Sequence, residues 1–293
     1  MQVLVIVADK WGFYYITKGL AKHSRHDYVF KTPYYLSYQE AQKYDVINCL
    51  NADTWNILER QWGDKALQLA KEKKVICGAA SKKSIARGLQ ILKRVPFYFI
   101  RAPSIKMGKF LESKLDDPNI RVIPINCIDA EKFHPLNLEK MGFTVGWAGN
   151  YRRVEKRTQW LHDLKYPLRI ATINDEYLEL NDHATMNLFY NILSAYVCVS
   201  RTEGAPVSMM EAMAVGLPIV STDVGLAPEL LEPAWVVPDG TRDKVISQAN
   251  RCLDYLYEDE DLRQRTGERN YKKIIEEYSA RVVSRRWDDL FEE

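Results

Sequence analysis

The order strand, turn, helix, strand within residues 196–222 constrains the fold more than any other feature of the chain. Residues 196–200 are short, apolar and β-branched, as in a buried strand, and a polar turn follows them. A predicted helix at residues 209–215 and a second apolar strand at residues 217–222 complete the unit. Because strands connected through a helix lie parallel in one sheet, this unit predicts a parallel α/β architecture.

Short apolar strands alternate with helical stretches along the rest of the chain. In the first half, the predicted strands are residues 2–8, 28–31, 44–50, 74–77, 96–100 and 120–123, and the predicted helices are residues 13–23, 55–72, 84–94 and 104–114. In the second half, further strands are predicted at 143–147, 168–172 and 235–237, with helices at 158–164, 185–195 and 242–257. Two runs of this alternation predict an α/β protein of two Rossmann-like, doubly wound domains.

Length and composition agree with two globular domains. The 293 residues suffice for two cores, and 46% hydrophobic with 27% charged residues is typical of globular proteins. No apolar run is long enough to span a membrane, and the chain starts with a strand pattern, so we expect a cytoplasmic protein. The cysteines show no paired spacing, and we expect them to be reduced and buried, without zinc or disulfides: Cys49, Cys77, Cys127, Cys198 and Cys252.

The net charge of +2 hides an asymmetry between the two halves. Residues 1–141 hold 23 Lys and Arg against 14 Asp and Glu, a charge of +9, and the remainder carries −7. The basic half suits a phosphorylated or lipid-linked acceptor, or peripheral contact with an anionic membrane, and a solvated surface is the alternative. The basic helix at residues 81–94 either lies on such a membrane or covers the sheet, and we favour the second.

Two carboxylates mark the unit 196–222 as a candidate site. Glu203 follows the first strand and Glu211 lies on the helix, so both can face one ligand that is rich in hydroxyl groups. Ser208 is a good N-cap residue and Glu211 lies three positions later, which predicts a capping box. The helix N-terminus is then expected to present unpaired N–H groups to a phosphate or sugar oxygen. Alternatively, Glu211 serves only the cap and Glu203 is a solvated loop residue.

A longer run around these acids resembles a known family signature. The pattern Glu203-Gly-x6-Glu211-Ala-x-Ala-x-Gly-x-Pro218, followed by residues 222–229, is similar to that of retaining glycosyltransferases of family four, the glycosyl transferases group 1 type. The segment 122–135 is similar to the interdomain segment of these enzymes. It matches them at Asn126, Asp129, Phe133 and Pro135, whereas Cys127 stands where glycine is expected, so a different turn is expected there.

The resemblance implies the GT-B fold, in which two Rossmann-like domains face each other across a cleft. It assigns residues 1–135 to an acceptor-side domain, residues 136–278 to a nucleotide-sugar-binding domain, and residues 279–293 to a helix that crosses back to the first domain. It also implies transfer of a sugar from a nucleotide donor, such as a UDP- or GDP-sugar, with retention of configuration and without a metal or another cofactor. The acceptor is left open as a glycan, a lipid-linked molecule or a protein, and no nucleic acid is expected.

The resemblance further implies a diphosphate clamp in the loop after the strand at residues 143–147. Lys156 corresponds to the lysine of that loop, and Arg152 or Arg153 is its basic partner. Arg157 stands where the family usually has a glycine after the lysine, so the position of the lysine is open by one residue.

The other site residues follow from the same resemblance. Glu203 is expected to bind the donor sugar and to be catalytic together with Lys156 and Arg152, while Glu211 is expected to bind the ribose. The base is expected near the strand end 168–174 and the stretch 182–186. The remaining donor-binding positions are Gly12, Asn150, Arg153, Gly204, Ala205, Pro206, Val207 and Ser208.

Two other functions stay open from the sequence. One is a nucleotide-sugar epimerase on the same fold, which needs no acceptor, and the other is a non-catalytic sugar-nucleotide or carbohydrate-binding protein. Asp259-Glu-Asp261 has the Asp-x-Asp form of a metal site, but its acidic helical surroundings favour a solvated surface. None of the five histidines stands in a context that identifies a general base.

Overall fold

A computed structural model describes residues 1–7, 12–79, 82–116, 119–140, 142–172 and 183–293. The chain divides into two compact units. The first unit comprises Met1–Cys127 together with Ala280–Glu293, and the second comprises Ile128–Ser279.

Each unit is built on one parallel sheet. The first sheet has six strands in the order β2-β1-β3-β4-β5-β6: β1 (Gln2–Ile6), β2 (Asp27–Lys31), β3 (Val46–Cys49), β4 (Lys74–Gly78), β5 (Phe99–Ala102) and β6 (Ile120–Val122). The second has five strands in the order β11-β10-β9-β7-β8: β7 (Val145–Gly149), β8 (Leu168–Thr172), β9 (Ala195–Cys198), β10 (Ile219–Thr222) and β11 (Val236–Val237).

Helices connect the strands. Those between β1 and β6 are α1 (Gly12–Ala21), α2 (Tyr38–Ala41), α3 (Ala52–Trp62), α4 (Asp64–Glu72), α5 (Lys82–Arg94) and α6 (Ile105–Glu112). Those after β8 are α7 (His183–Asn191), α8 (Val207–Ala214), α9 (Ala227–Leu230), α10 (Arg242–Glu258), α11 (Glu260–Lys273) and α12 (Ala280–Glu292). Short 3-10 helices lie at Val154–Lys156 and Thr158–Asp163.

The strand order places one switch point in each sheet. In the first sheet the chain steps from β1 outward to β2 and then returns to the other side of β1 as β3. In the second sheet it steps from β7 to β8 and returns beside β7 as β9. Ligands of open α/β sheets bind outside the carboxyl ends of the strands at such a point. The topology therefore predicts ligand sites at the carboxyl ends of β1 and β3, and of β7 and β9.

The C-terminal helix α12 packs on the first unit, as predicted. Trp287 is 1% exposed, and its indole Nε1 donates to the carbonyl oxygen of Pro124 over 3.0 Å. The buried Asp288 accepts hydrogen bonds from the Ser24 hydroxyl and from the backbone N–H of Arg25. An apolar core and satisfied buried polar groups thus both hold this helix.

Several local predictions need correction. The helix predicted at residues 55–72 is two helices, because Gly63 has a φ of 57°, which ends α3 before α4 begins. The helix predicted at residues 158–164 is 3-10 in form. By contrast, the expectation of a different turn at Cys127 agrees with the structure, because Cys127 does not have the positive φ that favours glycine.

Other sequence expectations have simple structural outcomes. The Asp259 side chain accepts a hydrogen bond from the backbone N–H of Leu262, so the Asp-x-Asp triplet supplies the N-cap of α11. All five cysteines are free, and four of them are buried. Helix α5 packs on α3: a Cβ at Gly88 would lie 2.5 Å from the Cβ of Ala52. None of the helices in the described ranges is long and apolar enough to cross a membrane.

Candidate active site

The loops after β7 and β9 form the candidate site, at the switch point of the second sheet. Residues 150–157 follow β7 and residues 199–206 follow β9. The two loops are joined directly, because the backbone N–H of Arg201 donates to the carbonyl oxygen of Glu155 over 2.7 Å. Side chains from both loops can therefore act on one ligand.

Lys156 and Glu203 meet across these loops. The ammonium Nζ of Lys156 donates to Oε1 of Glu203 over 2.6 Å, and the two side chains are only 14% and 11% exposed. An ion pair shielded to this degree is stronger than one on an open surface, and removal of either partner leaves the other charge poorly solvated. The structure thus brings together two of the three residues that the sequence predicted as catalytic, and it shows that Lys156 and Glu203 bind each other.

Arg157, which follows Lys156, has an unusual backbone conformation. Arg157 has a φ of 52° and lies in the left-handed region; no other non-glycine residue within the described ranges has a positive φ. Its guanidinium Nη1 donates to Oδ1 of Asp239 over 2.6 Å and stacks 4.2 Å above the ring of Trp160. A conformation that favours glycine is held here by an ion pair and a cation–π contact. The position after Lys156 is therefore one at which glycine fits, which supports the choice of Lys156 in the loop.

Gly225 sets the position of the Glu203-Gly204 turn. Gly225 has a φ of 50°, and a Cβ there would lie 2.2 Å from the carbonyl oxygen of Gly204 and 3.1 Å from that of Glu203. Any side chain at residue 225 would push the turn away. The sequence pattern included Gly225, but only the structure shows that it packs against the Glu203-Gly204 turn.

The predicted capping box at the start of α8 is wrong. The helix begins two residues earlier than predicted, at Val207, with Pro206 as the N-cap and without a side-chain cap. Ser208 lies inside the first turn, where its Oγ accepts a hydrogen bond from the Tyr196 hydroxyl over 2.9 Å. Pro206 thus occupies the N-cap position, and the N–H groups of Met209 and Met210 donate to its carbonyl oxygen. The first N–H groups of α8 are then available beside the Gly204 turn.

Glu211 is bound by a tyrosine from α7. The hydroxyl of Tyr190 donates to Oε2 of Glu211 over 2.7 Å. Burial raises the pKa of Glu211 to about 7, and the hydrogen bond from Tyr190 opposes this rise. Burial also raises the pKa of Tyr190 well above its usual value, so the phenol remains a donor. The carboxyl group can therefore gain or lose its proton near neutral pH.

The other predicted residues are placed as follows. Asn150 turns the chain after β7, since its Oδ1 accepts from the backbone N–H of Arg152 over 3.0 Å. Arg152 and Arg153 are exposed, and neither forms an ion pair in the described part of the chain. Ala205 packs partly buried against the core of the second unit. Gly12 is the first residue of α1, at the carboxyl end of β1 in the first sheet.

Some expectations fall outside the described residues. These are Lys10 and Trp11 beside Gly12, and residues 173–182, which include part of the two stretches predicted to bind the base. The side chains of Lys82, Lys83 and Arg87, which belong to the possible membrane-binding helix, are also outside them, whereas Arg94 of the same helix pairs with Glu59 over 2.9 Å. Within the residues that the structure covers, no three His, Cys, Asp or Glu side chains cluster as metal ligands.

Part of the chain is similar in sequence to known glycosyltransferases. Residues 173–273 match the family model described as Glycosyl transferases group 1. The lipopolysaccharide core biosynthesis mannosyltransferase LpsB of Rhizobium meliloti is 36% identical over 69 residues, which are 24% of this chain and 20% of that protein. The O-antigen biosynthesis glycosyltransferase WbnH of Escherichia coli is 28% identical over 138 residues, 45% of this chain and 40% of that protein. The chain thus spans less than half of each of these relatives.

The fold matches a solved structure over its whole length. Anabaena Alr3699/HepE, whose structure holds UDP and glucose, aligns with a TM-score of 0.76 over 100% of this chain and 99% of that chain, at 12% identity. Identity at this level shows a common fold. Over residues 173–273 the chain is similar to the glycosyl transferases group 1 family, and its two parallel-sheet units have the GT-B fold.

Proposed function

We propose that this chain transfers a sugar from a nucleoside-diphosphate sugar to an acceptor hydroxyl, with retention of anomeric configuration and without a metal. The observation that carries the proposal is the contact between Lys156 and Glu203 at the switch point of the second sheet. A cation, a carboxylate and free N–H groups meet there, which is the set that a nucleotide sugar requires.

Lys156 stabilises the leaving diphosphate. During transfer the bond between the anomeric carbon and the phosphate oxygen breaks, and its electron pair stays with the diphosphate. The ammonium of Lys156, with the exposed Arg152 or Arg153, neutralises that growing negative charge. The acceptor oxygen forms the new bond on the same face of the sugar and passes its proton to the departing phosphate oxygen. This route needs no protein base, and it agrees with the lack of a histidine in a suitable context.

The carboxylates orient the donor. Glu203 accepts hydrogen bonds from sugar hydroxyls while it remains beside Lys156, which places the sugar next to the diphosphate. Glu211 accepts from the ribose hydroxyls, and ligand hydroxyls that favour its ionised form lower its raised pKa on binding. The turn at Gly204 and the first N–H groups of α8 bind the β-phosphate. Loss of any one of these contacts weakens the donor complex, whereas Lys156 and Arg152 or Arg153 face charge that develops during reaction.

The relatives guide the choice of substrates. HepE was solved with UDP and glucose, and LpsB is a mannosyltransferase of lipopolysaccharide core biosynthesis. We therefore propose a UDP- or GDP-sugar as donor and a glycan, free or lipid-linked, as acceptor. We place the reaction in the cytoplasm, where five free cysteines stay reduced. Contact with an anionic membrane stays a prediction.

The test begins with thermal unfolding in the presence of UDP, GDP or ADP, because a ligand that binds the native state raises the unfolding temperature. The sugar nucleotide of the stabilising base is then incubated with glycan acceptors, and the anomeric configuration of the product is read by NMR. We expect one nucleotide to stabilise the protein and the product to keep the donor configuration. No stabilisation by any nucleotide contradicts the donor site, and an inverted product contradicts retention.

A further inference from the structure

The guanidinium of Arg101 is buried in the first unit without an anionic partner. Arg101 lies on β5 and is 0% exposed. Its Nη2 donates to the carbonyl oxygen of Leu50 over 3.3 Å, while Nε and Nη1 have no hydrogen-bond partner and are shielded from solvent. Within the described ranges no carboxylate pairs with it, and the neighbouring Cys77 is a thiol whose pKa is raised by burial. Burial of a positive charge without an anion costs free energy, and Arg101 lacks the partner that would offset this cost.

Burial does not remove the charge. It lowers the pKa of Arg101 only to about 10, so the guanidinium is still positive at neutral pH. The guanidinium has two planar edges, Nε with Nη2 and Nη1 with Nη2, each of which matches the two oxygens of a carboxylate or a phosphate, and each edge holds one N–H group without a partner. The missing partner is therefore an oxyanion.

Gly78 creates the space that the guanidinium occupies. Gly78 on β4 pairs in register with Arg101 on β5. A Cβ at Gly78 would lie 2.5 Å from Nη2 of Arg101 and 2.1 Å from the carbonyl oxygen of Leu50. The arginine side chain thus crosses β4 where that strand has no side chain and reaches the residue just after β3. That residue lies at the switch point of the first sheet, where ligands of such sheets bind.

A second unused polar group lies on the same face of the sheet. Asn48 on β3 is 2% exposed, and its Oδ1 has no hydrogen-bond partner. Side chains alternate along a strand, so Asn48 shares a face with Val46, and Arg101 shares a face with Phe99. Val46 and Phe99 belong to one apolar cluster, which places Asn48 and Arg101 on one side of the sheet. An acceptor without a donor and donors without an acceptor therefore occur on the same face.

We propose that Arg101 and Asn48 bind a hydroxyl-rich anionic ligand in the first unit. One edge of the Arg101 guanidinium, which includes Nε or Nη1, binds its carboxylate or phosphate, and Oδ1 of Asn48 accepts from a hydroxyl of the same molecule. Because solvent does not reach these atoms, side chains at this edge of the sheet move aside when the ligand enters. The inference goes beyond the proposed function, since binding to the first unit is measured without any sugar transfer.

The experiment measures binding of three probes to the full chain by calorimetry: glucuronate, glucose 6-phosphate and neutral glucose. The test variant is Arg101→Met, which keeps the side-chain volume and removes the donors. Arg121→Met is the matched control, because Arg121 pairs in register with Arg101 on β6 but is exposed. Lys156→Ala separates this site from the phosphate-binding loop of the second unit.

We expect glucuronate or glucose 6-phosphate to bind and glucose to bind far more weakly, with the stronger anion identifying the group that the site prefers. Arg101→Met should lower that affinity about tenfold or more, while Arg121→Met and Lys156→Ala retain it. If Arg101→Met does not fold, Arg101→Lys replaces it, since lysine keeps the charge but loses the planar fork. Failure of both anions to bind the unaltered protein, or equal affinity in the Arg101 variant, overturns the proposal.

Discussion

The two sheets carry polar groups at the same topological position but leave them in opposite states. At the switch point of the second sheet, Lys156 and Glu203 bind each other over 2.6 Å, and Glu211 accepts from Tyr190 over 2.7 Å. At that of the first sheet, Arg101 and Asn48 are buried with unused donors and acceptors. The polar groups of the second sheet bind one another, whereas Nε and Nη1 of Arg101 and Oδ1 of Asn48 in the first sheet have no partner.

This difference bears on how each site gains a ligand. In the second unit, a ligand joins or replaces contacts that already exist, so removal of one partner disturbs the protein even before a ligand binds. In the first unit, the proposed anion is the first charged partner of Arg101, whose Nη2 already donates to the carbonyl oxygen of Leu50. The following experiments test this contrast, from the largest expected effect to the smallest.

The largest effect is expected from breaking the pair in the second unit. Lys156→Ala and Glu203→Ala should each lower the rate of sugar transfer by about 100-fold or more, because they remove the cation at the leaving group or the carboxylate at the sugar. Transfer is measured as release of the nucleoside diphosphate. The exposed pair Arg242 and Asp163 provides a matched control, and Arg242→Ala should keep the rate. Normal transfer in both site variants would show that the pair is structural.

Gly225→Ala tests whether the turn that carries Glu203 depends on its support. A Cβ would meet the carbonyl oxygen of Gly204 at 2.2 Å, so we expect the free energy of unfolding to fall by about 1–3 kcal/mol, with a loss of transfer in the fraction that stays folded. Urea denaturation measures the first effect. Gly240→Ala is the control, because its nearest neighbour is Lys244 at 3.8 Å. Equal stability of the two variants contradicts this role for Gly225.

The pKa of Glu211 predicts how stability changes with pH. The folded state holds this proton up to about pH 7, whereas the unfolded state loses it near the ordinary value of 4.5. The contribution to stability is therefore full below pH 4.5 and is lost as the pH rises toward 7, by an amount on the order of 2 kcal/mol after allowance for partial exposure. Urea denaturation across this range should show the slope in the unaltered protein and a flatter profile in Glu211→Gln. Identical profiles of the two proteins would contradict the raised pKa of Glu211.

The smallest effect concerns the left-handed residue that follows Lys156. Arg157→Gly removes strain but loses the contacts to Asp239 and Trp160, so we expect a change in the free energy of unfolding of about 1 kcal/mol or less. Arg157→Val should be less stable than Arg157→Gly by about 1–3 kcal/mol, because a β-branched residue resists a positive φ. Equal stability of the two variants by denaturation would show that the turn relaxes freely.

Much of the fold is predictable because parallel α/β units combine apolar strands with capped helices. The strand, turn, helix, strand pattern of residues 196–222 predicted β9, α8 and β10. The split at Gly63 was missed because a glycine inside a helical pattern does not by itself reveal a positive φ. The capping box failed because Tyr196, which is remote from Ser208 in sequence, binds the hydroxyl that was expected to cap the helix.

The candidate site was predictable in its residues but not in its contacts. Glu203 and Lys156 were each identified through a local pattern, whereas their mutual ion pair depends on two loops that only the sheet topology brings together. The partner of Glu211, Tyr190, lies 21 positions away on another helix, and no local signal marks it. Arg101 was missed because a lone arginine in an apolar strand does not stand out until its burial is known.

The most direct test of the central claim is calorimetric binding of a nucleoside diphosphate and the matching monophosphate to the unaltered protein and to Lys156→Ala. If Lys156 holds the diphosphate, the unaltered protein prefers the diphosphate by about tenfold or more, and this preference disappears in Lys156→Ala while monophosphate binding remains. An unchanged preference in the variant would contradict the assignment of Lys156 and, with it, the proposed donor site.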